Sequence, residues 1–122
     1  ALIDAIPDPI SCKDVGGLYF GCNAAFARSV NKTKEEIIGH CVADIYPPDD
    51  AARIRRLDAG QIASKQPVID QERIALADGR SLLLETLRAP FFDGNGQLIG
   101  LLSIGRDLTA GKAALEGQSP PV

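Results

Sequence analysis

Asp58 lies four residues after Ile54 and four before Ile62, so a helix through all three places a carboxylate on its apolar face. A buried acid is costly without a partner, so it should meet an arginine, backbone donors or a bound ligand. Rotating the helix by one side chain would instead leave it at the solvent boundary. Arg73 and Arg88 sit in segments rich in apolar residues, where a guanidinium fork can take a carboxylate at two points. Asp70, Glu72 and Glu85 are near them in sequence, and cross-strand ion pairs are the competing explanation. Asp107 and Thr109 end an aliphatic run, a place where a carboxylate or hydroxyl can cap a following helix while holding to the strand.

Chemistry of other kinds finds little material. The single histidine, His40, stands beside Gly39 in a connection and reads as an exposed polar residue. Cys12, Cys22 and Cys41 are odd in number and lack CxxC spacing, so neither a disulfide framework nor a zinc site is indicated, and a reducing cytoplasm is the simplest setting. Cys41 reads as a small buried apolar residue. No nucleophile has a placed base, and no phosphate-cradling glycine loop is present, so the domain itself is not expected to be an enzyme. A net charge of −3 argues against nucleic acid as a partner, and Arg53, Arg55 and Arg56 read as a solvated helix face. No apolar run reaches the roughly 20 residues that span a membrane, so direct membrane contact by this domain is not expected, whether or not a longer protein is anchored elsewhere.

These residues need elements to position them. With 122 residues, one cooperative domain is expected. Leu2 and Ile6 mark a short helical face before Pro7 and Pro9. Strands are predicted from Pro9 to Asp14 and from Leu18 to Cys22, joined by a turn at Val15-Gly16-Gly17. Asn23 suits the N-cap of a helix through Val30, with Phe26 and Val30 as its inner side. Thr33 and Glu36 form a capping box for a short helix ended by Gly39. A single turn at Val42 to Tyr46 precedes a long helix from about Ala51 to Lys65, announced by Pro47-Pro48-Asp49-Asp50, with Ile54, Leu57 and Ile62 facing inward.

Three long strands follow, from Val68 to Ala77, Arg80 to Phe92 and Gln97 to Asp107, with turns at Asp78-Gly79 and Asp93-Gly94-Asn95-Gly96. A two-residue turn at Asp78-Gly79 sets Glu72 opposite Glu85, whereas one residue more sets Arg73 opposite Glu85. In the last two strands aliphatics occur at both parities, so both sheet faces should be largely apolar and one of them needs a cover. Strands separated by a helical block and joined by hairpins imply an α+β fold, an antiparallel sheet with helices on one face.

The local motifs resemble those of the PAS domain, of the sensory-box type found in bacterial sensor histidine kinases and diguanylate cyclases. They are Lys13-Asp14, Gly17-Leu18-Tyr19 and Cys22-Asn23-Ala24-Ala25-Phe26, then Glu35-Glu36-Ile37-Ile38-Gly39 and Asp44-Ile45-Tyr46-Pro47. Ala77-Asp78-Gly79-Arg80, Leu87-Arg88-Ala89-Pro90 with Asp93-Gly94, and the closing Gly105-Arg106-Asp107-Leu108-Thr109 complete the series in family order. The resemblance implies a five-stranded antiparallel sheet in the order 2-1-5-4-3 with small helices across one face, over residues 1–112. Residues 113–122 would be a linker stub or disordered tail, and the whole an excised module.

The resemblance also implies a cavity between helices and sheet that holds haem, flavin, another small ligand or nothing. Haem in related sensors usually needs a histidine on the long helix, and none occurs there. Covalent flavin needs a reactive cysteine in an Asn-Cys-Arg-Phe segment, which Cys41-Val42-Ala43-Asp44 does not match. The cofactor therefore stays unassigned, with haem and covalent flavin disfavoured. Asn23, Phe26, Tyr46, Asp58, Arg73 and Arg88 form the candidate ligand-binding set, and Asp107 and Thr109 the junction to an output domain in the same chain, a kinase or cyclase. A homodimer through the outer sheet face and the N-terminal helix is expected. The leading reading is a cytoplasmic ligand sensor; a ligand-free domain serving only dimerisation and signal transmission is the alternative, with a haem or flavin redox sensor behind both.

Overall fold

The computed structural model describes residues 2–75, 79 and 81–108. A 3-10 turn (Leu2–Ala5) leads into strands β1 (Ile10–Asp14) and β2 (Tyr19–Cys22), then helices α1 (Ala24–Ser29), α2 (Lys34–Ile37), α3 (Val42–Ile45) and α4 (Pro48–Ser64). Strands β3 (Val68–Ala75), β4 (Ser81–Phe92) and β5 (Leu98–Asp107) close the chain order. All five strands form one antiparallel sheet in the order β2-β1-β5-β4-β3, as expected. The expected ends of the third strand at Ala77 and of the fourth at Arg80, together with Thr109 and the tail, lie outside the described residues.

Local chemistry explains the elements. Asp14 closes the first hairpin, its carboxylate accepting from the N–H groups of Gly16 and Leu18 (2.9 and 3.0 Å), while Gly17 takes φ +92°. Asp93 repeats the device, accepting from Asn95 and Gln97 before Gly96 turns at φ +79°. The Thr33–Glu36 capping box is present in both directions, and the Thr33 N–H holds the Glu36 carboxyl below its usual range. Helix α4 starts a turn earlier than expected, because Pro48 occupies its first position and Asp49 and Asp50 fill the first turn rather than preceding it.

Asn23 is fully buried and does more than cap a helix. Its Oδ1 accepts from the N–H of Phe26 and of Ile10, both at 2.9 Å. Its Nδ2 donates to the carbonyls of Ile3, Ile6 and Asp8 at 3.2, 3.3 and 2.8 Å. One amide thus ties the N-terminal segment, the start of β1 and the start of α1 together. Asp4 completes the knot by accepting from the Ala24 N–H at 2.7 Å, which lowers its own carboxyl pKa.

The main core lies between the β1–β2 edge and the helices: Tyr19, Cys22, Phe26, Ile37, Val42, Ile45, Ala51 and Ile54 are buried together, with the Tyr19 and Phe26 rings 5.5 Å apart. The inner stripe of α4 is Ala51, Ile54 and Gln61, rather than the expected Ile54, Leu57 and Ile62; Leu57 and Ile62 flank it, half-buried. Cys41 is half-buried rather than buried, because it stands at the N-cap of α3 with its N–H on Asp44. His40 is exposed beside Asp44.

Register sorts the sheet faces. Val68, Arg88, Ser103 and Ser11 form one row across four strands, Asp70, Thr86 and Gly105 the next, and Pro90, Leu101 and Lys13 a third; these rows face the helices. On the opposite face Ile69, Leu87, Ile104 and Ile10 form a continuous aliphatic row. Phe20 meets Phe91 there at 5.9 Å. Gly100 lies beneath that ring: a Cβ on it would stand 2.5 Å from the Lys13 carbonyl oxygen and 2.6 Å from Phe91, so no side chain fits.

Two expectations change. The outer face is apolar, but the inner face of β4 and β5 is polar along Arg88, Thr86 and Ser103, because it lines a cavity instead of packing. Neither expected register of the third and fourth strands occurs: Ala75 pairs Ser81, which sets Gln71 opposite Glu85, where the two side chains hydrogen-bond at 3.0 Å.

Candidate ligand cavity

A cavity of about 550 Å³ lies between α1, α4 and the inner face of β1, β3, β4 and β5. Its apolar wall comes from Phe26 and Val30 on α1, Ile54 on α4, Leu84 on β4, and Tyr46 just before α4. Its floor is the polar belt of the sheet: Ser11, Ser103, Thr86, Asp70 and Arg88. Asp50 and Arg53 stand on α4 as an ion pair at 3.9 Å, and Arg106 and Asp107 line the end of β5. Alternation along the strands produces this floor, since every second residue of a strand reaches the same side.

Arg88 is the most buried charge on the cavity lining. It is only 9% exposed, and its Nε is buried with no hydrogen-bond partner. Opposite it in register are Val68 and Ser103, so the expected cross-strand ion pair does not form, and among the described residues no carboxylate pairs with it. Its backbone is held by Gln61, whose Nε2 donates to the Arg88 carbonyl at 2.6 Å and to the Gln66 carbonyl at 3.3 Å. That clamp fixes the C-terminal half of α4 over β4. Burial pushes the Tyr46 hydroxyl above the usual tyrosine pKa, so it stays neutral in the wall.

Asp58 meets a lysine, a partner that the sequence reading did not name. Lys13 on β1 reaches across to the Asp58 carboxylate on α4, with its side chain 4% exposed and that of Asp58 15%. The ammonium also sits 5.4 Å from the centre of the Tyr19 ring. Burial outweighs the attraction of Asp58 and holds Lys13 below the ordinary lysine pKa. The same burial, with the Tyr46 hydroxyl and the Asp58 charge nearby, pushes Tyr19 far above the usual tyrosine range.

The candidate set therefore divides. Phe26, Tyr46 and Arg88 line the cavity, and so does the junction residue Asp107. Asn23 is structural, Asp58 is engaged with Lys13, and Arg73 is exposed at the outward parity of β3, opposite Leu83. Thr109 lies outside the described residues. Sequence reasoning missed Gln61, Ser11, Thr86 and Ser103. Gln61 was visible in principle, seven residues after Ile54 and so on the same helical stripe; the hydroxyls were visible as polar residues at inward positions of otherwise aliphatic strands. Among the described residues no helix is long and apolar enough to cross a membrane, and no three metal-ligating side chains gather.

Comparison with known proteins agrees with this architecture. The chain is 27% identical over 112 residues to the aerobic respiration control sensor protein ArcB of Escherichia coli (strain K12), which covers 92% of the chain and 14% of ArcB. It is 28% identical over 113 residues to the methanogenesis regulatory histidine kinase FilI of Methanothrix harundinacea, covering 93% of the chain and 13% of FilI. The chain thus spans about a seventh of the length of these relatives. The solved PAS domain of Bordetella pertussis BvgS superposes with a TM-score of 0.76 at 21% identity, over 99% of this chain and 93% of that one. The family model described as PAS fold matches residues 3–113, and with this sheet order and these relatives the chain belongs to the PAS-fold family.

Proposed function

We propose that this PAS domain is the ligand-sensing module of a cytoplasmic signal-transduction protein, with a histidine kinase or a diguanylate cyclase as its output domain. The observation that carries this reading is the cavity itself: about 550 Å³ of space with an apolar wall, a row of hydroxyls and a buried guanidinium that has no carboxylate partner among the described residues. Pockets of this size with a few convergent polar groups suit small organic ligands. Asp107 lines the same space and ends β5, so occupancy and the outgoing chain share a residue. The relationship to a regulatory histidine kinase supports the kinase output.

The aliphatic outer row supports a homodimer built on that face. Ile69 on one edge strand is 66% and Phe20 on the other 50% exposed, so apolar surface reaches both edges of this face, more than a solvated sheet face carries. The N-terminal turn, with Ile3 and Ile6 exposed, would complete the interface. Native mass spectrometry of the freshly purified chain checks both statements at once. The expected spectrum shows two chains per particle and a small-molecule mass excess that denaturation removes. Single chains would remove the dimer. Identical masses before and after denaturation, unchanged by incubation with a small-molecule cell extract, would remove the ligand.

A further inference from the structure

We propose that the cavity selects a small organic monoacid, its carboxylate docked on Arg88 and its apolar body against Phe26, Val30 and Ile54. The inference rests on the reading of the cavity as a ligand site, and it goes further by naming the ligand's charge. Arg88 is nine-tenths buried, and its Nε has no acceptor. A guanidinium in that state is expensive to hold inside a protein unless an anion meets it. No carboxylate among the described residues does so, although Asp50, Asp70 and Asp107 all line the same cavity.

The surroundings favour a carboxylate over other anions. Ser103 lies beside Arg88 in the β-sheet row and Ser11 one strand further on, so the floor next to the guanidinium carries hydroxyl donors that can serve a carboxylate oxygen. Asp50 neutralises Arg53 towards the helix side. Arg106 and Asp107 stand side by side at the end of β5, which leaves Asp70, in the row next to Arg88, to repel further negative charge and so to disfavour phosphates and dicarboxylates. The wall opposite is aliphatic and aromatic, so the remainder of the ligand should be apolar.

The test is calorimetric titration and thermal unfolding of the chain with benzoate and phenylacetate, each paired with its neutral amide. The acids are expected to raise the melting temperature and to bind at least tenfold more tightly than the amides. Arg88→Gln should abolish the preference and Arg88→Lys should keep part of it. Without ligand, Arg88→Gln should melt no lower than the parent, since it removes an unpaired buried charge. Amides that bind as well as acids would overturn the acid assignment while leaving a ligand site in place. Failure of acids and amides alike would overturn the assignment and count against the ligand site too. A large drop in melting temperature for ligand-free Arg88→Gln would also overturn it, by making Arg88 structural.

Discussion

Asn23→Ala is expected to cost about 3–5 kcal/mol of stability, the largest single loss among the residues described. An ordinary N-cap replaced by alanine loses about 1 kcal/mol, because one helix N–H goes unpaired. Asn23 is fully buried and serves two N–H groups and three carbonyls, so alanine leaves several of these without their partner, the Phe26 N–H in a fully buried place and the others in partly buried ones. Each buried unsatisfied group costs about 1–3 kcal/mol, and partial relaxation keeps the sum below a simple total. For a domain of this size the loss corresponds to a fall of about 10 °C or more in melting temperature. Asn23→Ser should fall between, since a hydroxyl can still cap Phe26 but cannot span to Ile3, Ile6 and Asp8. Hydrogen exchange would show the N-terminal segment loosening first. A loss of 1 kcal/mol or less for the alanine variant would mean that the knot is incidental.

Breaking the Lys13–Asp58 pair comes second. Asp58→Ala should cost about 3 kcal/mol, because it strands the ammonium of a side chain that is 4% exposed. Lys13→Met should cost less, since Asp58 lies nearer the surface and can regain water. The double change Lys13→Met with Asp58→Leu should approach the parent, because two apolar side chains need no mutual rescue. The pH dependence has a definite sign. The folded-state pKa of Lys13 lies below that of the unfolded chain, so between those two values the unfolded state binds more protons and stability rises with pH. Removing Asp58 lowers the folded value further and widens the window downward. The deficit of Asp58→Ala should therefore shrink as the pH is raised from neutral towards about 10. Denaturant unfolding across that range checks it, and a deficit that stays constant or grows would contradict the buried-lysine assignment.

Much of the fold was legible because it is written in local chemistry. Asp14 with Gly17, Asp93 with Gly96, Asn23 in its cap on Phe26, and Thr33 with Glu36 each act within a few residues, and each marks an element boundary in the sequence. Pro48 misled by one turn, since a proline before a helix and a proline at its first position look alike in sequence. What stayed hidden was long-range. Lys13 and Asp58 are 45 positions apart, and nothing near Asp58 announces its partner. The β3–β4 register depends on which parity of the whole strand faces the cavity. An Asp-Gly turn signals reversal without fixing that choice, and the outcome sends Arg88 inward and Arg73 outward. The cavity floor was hidden for the same reason: Ser11, Thr86 and Ser103 become a set only when three strands lie side by side.

The central claim is that cavity occupancy is read out through the end of β5. The direct measurement is the output activity of the full-length protein, phosphorylation or nucleotide cyclisation, with and without a saturating amount of the molecule recovered from the cavity. The parent should respond, whereas Asp107→Ala should fold, bind the molecule and hold its output at one level. Unchanged regulation in Asp107→Ala would contradict the claim.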